Sequence, residues 1–418
     1  MAKDSYRSLL SSDEFVISCG TVPLDITHKK VLLVRERKTN EFLLPKGRKD
    51  MGEDLQATAV RETTEETGYA ATILPLKTAT HATNDHGVSM TMDSLTKKTL
   101  DVSRSLTYTY YTHPPSRPEN PTVLCIHGFP DEAAEWADLA TTHLIPAGYG
   151  VIAVDCLGYA GTSKPLDPAL YAFEHMTTDL AEILDNEKIQ KVVSLGHDWG
   201  CSFAQRFYNY HPDRVLGLVM INVAYNAPGD KAFDLDAANE MSKKLFGYAT
   251  QPYWYLFSSE DGYKLLDEHL ESCFTVLHGP PESWLDTTCK YDGLKDYLIA
   301  DKKQQTEPYA TEEMMNAFIT RFKRDGFAAP TCWYKAIVGG HQNFEAKKVK
   351  AMVVEVPSLY IGFDNDKVCR PELINMGIKN GFLPKLTNVK LEGGHWGLLA
   401  NADKFGKTIV DWLKKEFD

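Results

Sequence analysis

The sequence predicts an α/β protein: a mostly parallel sheet with a helical cap, preceded by a smaller α+β unit. Three observations carry this. From Ser105 onward, apolar β-branched runs alternate with helical stretches, the pattern of a parallel sheet covered by helices. Between Ala224 and about Lys350 the strand signal stops, and Tyr, Trp, Leu and Phe recur at helical spacing, as in a helical insertion. Ahead of both, residues 15–76 hold short apolar runs around one helix. The predicted organisation is a small domain over 1–85, a linker over 86–104, and a large domain over 105–418 whose cap spans about 225–350.

In the large domain the predicted strands are Thr122–Ile126, Val151–Val154, Lys191–Leu195, Val215–Ile221, Leu359–Gly362 and Val389–Leu391. Asp261–Leu277 and Thr311–Lys323 are predicted cap helices. In the small domain, apolar runs at Phe15–Ile17, Val31–Val34, Phe42–Leu44 and Ala71–Leu76 read as strands, and Asp54–Thr67 as the helix. Residues 80–104 lose apolar periodicity and carry Ser, Thr, Lys and Asp, which reads as a linker.

Composition bounds the function. The chain has 418 residues, 43% of them hydrophobic, enough for a sizeable core. A formal charge of -12 repels phosphate backbones, so no nucleic acid is expected as partner. Eight scattered cysteines form neither a zinc pattern nor a disulfide framework and are expected as reduced thiols. No stretch approaches the roughly 20 apolar residues of a membrane span, and the expected location is the cytoplasm.

The chemistry-bearing motif starts at Val192–Leu195, which runs into Gly196-His197-Asp198-Trp199-Gly200. An apolar strand, a sharp turn between small residues and a helix make a nucleophile elbow. An Asp capping an ordinary strand-to-helix turn is common by itself. Here two further strand ends carry Asp364 and Asp366, then His395. Three polar strand ends in the order nucleophile, acid, base define a reactive set. Asp366 and Asp364 are both candidates for the acid, a choice that rests on resemblance as well as position.

His127-Gly128-Phe129-Pro130, Gly196–Gly200, Asp366 and Gly394-His395-Trp396 together resemble the epoxide hydrolases of the α/β-hydrolase superfamily, over about 105–418. The resemblance implies that Asp198 is the nucleophile, His395 the base and Asp366 its partner. It also implies that the N–H groups of Phe129 and Trp199 form an oxyanion hole, and that His127, Trp199 and Trp396 face the substrate. Cys201 stands where a second glycine is frequent.

A carboxylate nucleophile leaves an ester that activated water can cleave, whereas serine would leave an inert ether. Asp198 therefore points to substitution at saturated carbon, either opening an epoxide or displacing a halide. An alkoxide leaving group, about as basic as hydroxide (pKa about 15.7), needs a proton donor, and a phenol of pKa about 10 suits. The resemblance places two cap tyrosines over the nucleophile. Tyr334, in Gly326-Phe327…Trp333-Tyr334, matches one of them, and Tyr253 the other, with Tyr248 and Tyr255 close by. The expected activity is hydrolysis of a small apolar epoxide without a cofactor. Haloalkane or fluoroacetate dehalogenation and noncatalytic ligand binding are the alternatives.

In the small domain Gly47, Glu53, Arg61-Glu62 and Glu65-Glu66-Thr67-Gly68 fall at the spacing of the Nudix box. Glu62, Glu65 and Glu66 share one helix face, and the resemblance implies Mg²⁺ binding there, with Arg61 orienting the glutamates. Only 37 positions separate Gly68 from Ser105, whereas the rest of such a fold needs about 45. The expectation is a truncated Nudix fold with little pyrophosphatase activity, a working bifunctional enzyme being the alternative.

Overall fold

The computed structural model describes residues 18–20, 24–25, 30–31, 34–35, 42–43, 46–48, 55–67 and 92–418. The chain divides into two compact units, Met1–His81 and Ala82–Asp418.

The first unit contains strands β1 (Ser18–Gly20), β2 (Leu24–Asp25), β3 (Lys30–Val31), β4 (Val34–Arg35), β5 (Phe42–Leu43) and β6 (Lys46–Arg48), then helix α1 (Leu55–Thr67). β1 pairs with β6, β2 with β3 and β4 with β5, all antiparallel. Val31–Val34, predicted as one strand, is divided between β3 and β4. Phe15–Ile17 and Ala71–Leu76 lie outside the described residues. In α1, Thr63 is buried and its hydroxyl donates to the Ala59 carbonyl at 2.7 Å, which satisfies it inside the helix.

The second unit is built on eight strands: β7 (Thr96–Val102), β8 (Leu106–His113), β9 (Thr122–Ile126), β10 (Gly150–Val154), β11 (Val192–His197), β12 (Val215–Ile221), β13 (Ser358–Phe363) and β14 (Leu386–Leu391). Their order is β14-β13-β12-β11-β9-β10-β8-β7. From β10 through β14 neighbours run parallel, while β8 is antiparallel to both β10 and β7. Every residue of β9, β10, β11 and β13 is buried. Parallel strands covered on both faces need unbroken apolar sequence, which is why these runs stand out.

One expectation is corrected. Residues 96–102, assigned to the linker, form β7, paired in register with β8 from Thr96↔Thr112 to Val102↔Leu106. β7 is an edge strand whose one buried residue is Val102. With one side open to solvent it can be Thr- and Lys-rich, so it carries no apolar signature.

Helices α2 (Phe173–Asn186) and α3 (Trp199–Tyr210) follow β10 and β11. The cap lies between β12 and β13: α4 (Leu235–Phe246), α5 (Tyr253–Ser258), α6 (Gly262–Glu268), α7 (Leu270–Leu277), α8 (Gly293–Ile299), α9 (Glu312–Asp325) and α10 (Cys332–Val338). The predicted helix 261–277 is two helices, broken at His269, whose φ of -128° and ψ of 49° are not helical. α11 (Ile374–Lys379), α12 (Gly397–Ala400) and α13 (Ala402–Phe417) complete the unit. Among the described residues no helix is long and apolar enough to cross a membrane, and cysteines 125, 156, 201, 273, 289, 332 and 369 are free thiols.

Candidate active site

β11 delivers Asp198 to the carboxyl end of the sheet, and α3 begins at the next residue. Asp198 has φ 52° and ψ -125°, a strained conformation for a side chain with a Cβ. The turn closes because its neighbours have none. A Cβ on Gly196 would collide with the Gly200 carbonyl, and one on Gly200 with the Ile126 carbonyl. Cys201 fits, fully buried, with its thiol donating to the Val223 carbonyl at 2.9 Å.

The Phe129 N–H donates to Asp198 Oδ1 at 2.9 Å. Gly128, just before it, is in such close approach that a Cβ there would overlap the Asp198 side chain. Asp198 Oδ2 lies 3.4 Å from His395 Nε2. The two carboxylate oxygens are thus distinguished, one held by backbone and the other facing the imidazole. The second expected donor, the Trp199 N–H, makes no hydrogen bond to the carboxylate as it stands.

His395 Nδ1 meets Asp366 Oδ2 at 2.8 Å. Asp366 is fully buried; its Oδ1 accepts from the Val368 and Cys369 N–H groups, each at 2.9 Å, and its Oδ2 from Asn222 Nδ2 at 2.6 Å. Burial opposes its charge, but His395 and these donors outweigh burial and hold Asp366 down at about 2. Asp364 is exposed and accepts from the Gly393 N–H, so the acid beside His395 is Asp366. For His395, burial works against the proton, yet Asp366 and Asp198 together hold its pKa well above the ordinary value. Asp198 is held below the carboxylate range against burial, His395 being the main cause.

Tyr253 and Tyr334 face each other edge-to-face at 6.0 Å, and the Tyr334 ring also meets Trp199 at 5.0 Å and Phe129 at 5.4 Å. Burial is the main cause that pushes both phenols well above 10, and the Asp198 charge adds to it, so both keep their protons at neutral pH. The neighbours left open by sequence are otherwise engaged. Tyr248 donates to the Lys367 carbonyl at 3.0 Å, and Tyr255, exposed, donates to Asp236.

Two further expected residues are placed as follows. His127 has both ring nitrogens turned to the backbone: its Nε2 accepts from the Cys156 N–H at 2.9 Å, so Nδ1 carries the proton and donates to the Gly128 carbonyl at 2.8 Å. Both ring nitrogens are committed to backbone, and burial lowers its pKa to about 3, so it is a neutral brace for the 127–130 turn. Trp396 packs on His278, with centroids 4.3 Å apart, and its indole N–H donates to Asp131 Oδ2 at 3.0 Å. Its ring borders His395 at 5.0 Å.

Sequence reasoning missed the residues that pin His395 from behind. Asn222, at the end of β12, donates to the His395 carbonyl at 2.9 Å as well as to Asp366. His197 Nε2 reaches the same carbonyl at 3.0 Å, while its Nδ1 lies 2.6 Å from Glu135 Oε1. A polar residue closing the apolar β12 run was the available signal for Asn222. Glu135, distant in sequence, had none.

In α1, Arg61 Nη1 bridges Glu62 at 2.7 Å and Glu65 at 3.3 Å. Among the described residues, acidic, His or Cys groups whose ligand atoms all lie within 4.8 Å of one another are Asp366–Cys369–His395 and Asp131–Glu135–His197. Glu62, Glu65 and Glu66 are not such a set.

A sharp-turn carboxylate, a buried acid–imidazole pair and two buried phenols on an inserted cap have the make-up of a hydrolase-type site. The chain belongs to the alpha/beta hydrolase fold family, whose sequence profile matches residues 121–402. The NUDIX domain profile matches 16–147; from Thr96 onward that match covers strands of the second unit's sheet. Among curated relatives, bifunctional epoxide hydrolase 2 of Rattus norvegicus is 25% identical over 302 residues, covering 71% of this chain and 52% of the relative. The chain thus spans about half the length of that relative. Epoxide hydrolase srdG of Neurospora crassa is 26% identical over 327 residues, covering 75% of this chain and 93% of the relative. Among solved structures, a mutant of an epoxide hydrolase from Vigna radiata superposes with a TM-score of 0.64 at 21% identity, covering 77% of this chain and 99% of that one.

Proposed function

We propose that the chain hydrolyses epoxides to vicinal diols through an ester on Asp198. The observation that carries this reading is a carboxylate at the elbow, 3.4 Å from an imidazole, with the cap pair Tyr253–Tyr334 packed, through Tyr334, against Phe129 and Trp199, the one bonded to that carboxylate and the other next to it in sequence. Asp198 Oδ2, the oxygen not held by Phe129, attacks an oxirane carbon. The carbon–oxygen bond breaks, and Tyr334 with Tyr253 protonates the departing alkoxide.

The ester has lost the Asp198 charge. One of the two carboxylates that hold the proton on His395 is thereby removed, and the imidazole gives that proton up to restore the phenol, leaving a nitrogen free to accept another. His395, oriented by Asp366, takes a proton from water as the water attacks the ester carbonyl. The oxyanion develops on Oδ1, against the Phe129 N–H, with the Trp199 N–H as proposed second donor. Collapse breaks the ester bond, the second water proton passing to the diol oxygen, and returns the Asp198 carboxylate beside the protonated His395. Each step is assigned to a side chain or backbone group, and the proposal calls for no metal.

The test is to assay diol formation from styrene oxide beside halide release from a haloalkane. Diol without halide supports the reading. Halide without diol would show a dehalogenase. Loss of turnover in Asp198→Asn distinguishes catalysis from ligand binding.

A further inference from the structure

A cleft of about 900 Å³ opens beside His395, walled by Trp284 and Tyr309 from the cap and by Trp396 from the loop after β14. Its aromatic floor continues to the catalytic imidazole, with the Trp284 and Trp396 rings 5.4 and 5.0 Å from that of His395. Its rim has one sign of charge. Glu282 and Glu307 stand on the cap side and Asp364 and Glu392 on the sheet side, with Lys367 the one lysine or arginine in the lining and His395, between its two carboxylates, at the inner end. Lys367 is already engaged with Asn365, whose side-chain amide also donates to Glu282 at 2.7 Å.

From this geometry we propose that the cleft receives the part of the substrate remote from the oxirane, and that it selects neutral or cationic epoxides over those bearing a carboxylate. The inference rests on the epoxide-hydrolase reading and adds the sign of charge that the substrate carries. The aromatic walls suit an aryl or alkyl body. An anionic tail meets four carboxylates against one ammonium and finds no cation to pair with that is not already engaged. Three net negative charges acting through solvent correspond to about a tenfold handicap for a monoanion, weakening with ionic strength.

The experiment compares kcat/KM for 4-carboxystyrene oxide, its methyl ester and styrene oxide at low and high salt. The expected result is an ester-to-acid ratio of about ten at low ionic strength, shrinking in high salt and shrinking also in the Glu307→Gln/Glu392→Gln variant. An acid turned over as well as its ester, or a ratio indifferent to both salt and the double substitution, overturns the inference. If no epoxide is turned over, the catalytic reading fails, and binding of the carboxylated and esterified diols to the same protein, followed by NMR titration, decides the cleft. Tighter binding of the ester then upholds charge selection, and equal or tighter binding of the acid overturns it.

Discussion

The sharpest perturbation is Asp366→Asn, because the structure says which step it stops. The side chain is fully buried, with Oδ1 fixed by two backbone N–H groups and Oδ2 between His395 Nδ1 and Asn222 Nδ2. An amide in its place keeps its oxygen on the two backbone donors and turns its NH₂ toward His395. The imidazole must then accept at Nδ1 and carry its proton on Nε2, where it cannot take one from water. The charge lost with the carboxylate is also large. Holding Asp366 from 3.8 down to about 2 corresponds to about 2.4 kcal/mol, or about sixtyfold, at 1.36 kcal/mol per unit. With the tautomer reversed as well, ester hydrolysis should slow by at least about 10², while attack by Asp198 is largely spared. Rapid-quench kinetics with intact-mass detection should show one alkyl group per enzyme accumulating in the variant. Unchanged turnover, or lost turnover with no accumulated ester in a folded variant, would refute this division of labour.

Other consequences follow from the same geometry. Tyr334→Phe together with Tyr253→Phe should slow single-turnover ester formation by about 10²–10⁴, and an undiminished rate would remove the phenols from the mechanism. Burial lifts Glu135 from 4.5 to about 7, and Glu135 in turn raises His197 against burial. The pair then binds more protons folded than unfolded, so its contribution to stability falls as pH rises from about 4.5 through about 7. The Tm advantage of the native protein over Glu135→Gln should shrink across that range; an advantage that grows there would reverse the sign of the argument.

What was legible in the sequence tracks how strongly each residue's environment constrains it. β9, β11, β12 and β13 read through because parallel strands covered on both faces must be apolar throughout, and the elbow because its glycines answer backbone collisions at 196 and 200. β7 escaped, since an edge strand tolerates Thr and Lys. The bracing role of His127 was not legible because a motif records that a histidine is present, not which way its nitrogens face. The choices between Asp366 and Asp364, and among Tyr253, Tyr248 and Tyr255, needed hydrogen-bond partners from distant segments: Asn222 for the first, Lys367 and Asp236 for the second. Glu135 approaches His197 across 62 positions, a pairing that only the assembled sheet creates.

The central claim is that a protein oxygen, not water, opens the ring. Single turnover of styrene oxide in heavy-oxygen water, with enzyme in excess, tests it most directly. The account predicts a first-turnover diol free of the label and a heavy oxygen appearing in the peptide that contains Asp198. A labelled diol from the first turnover, with that peptide unlabelled, would contradict it.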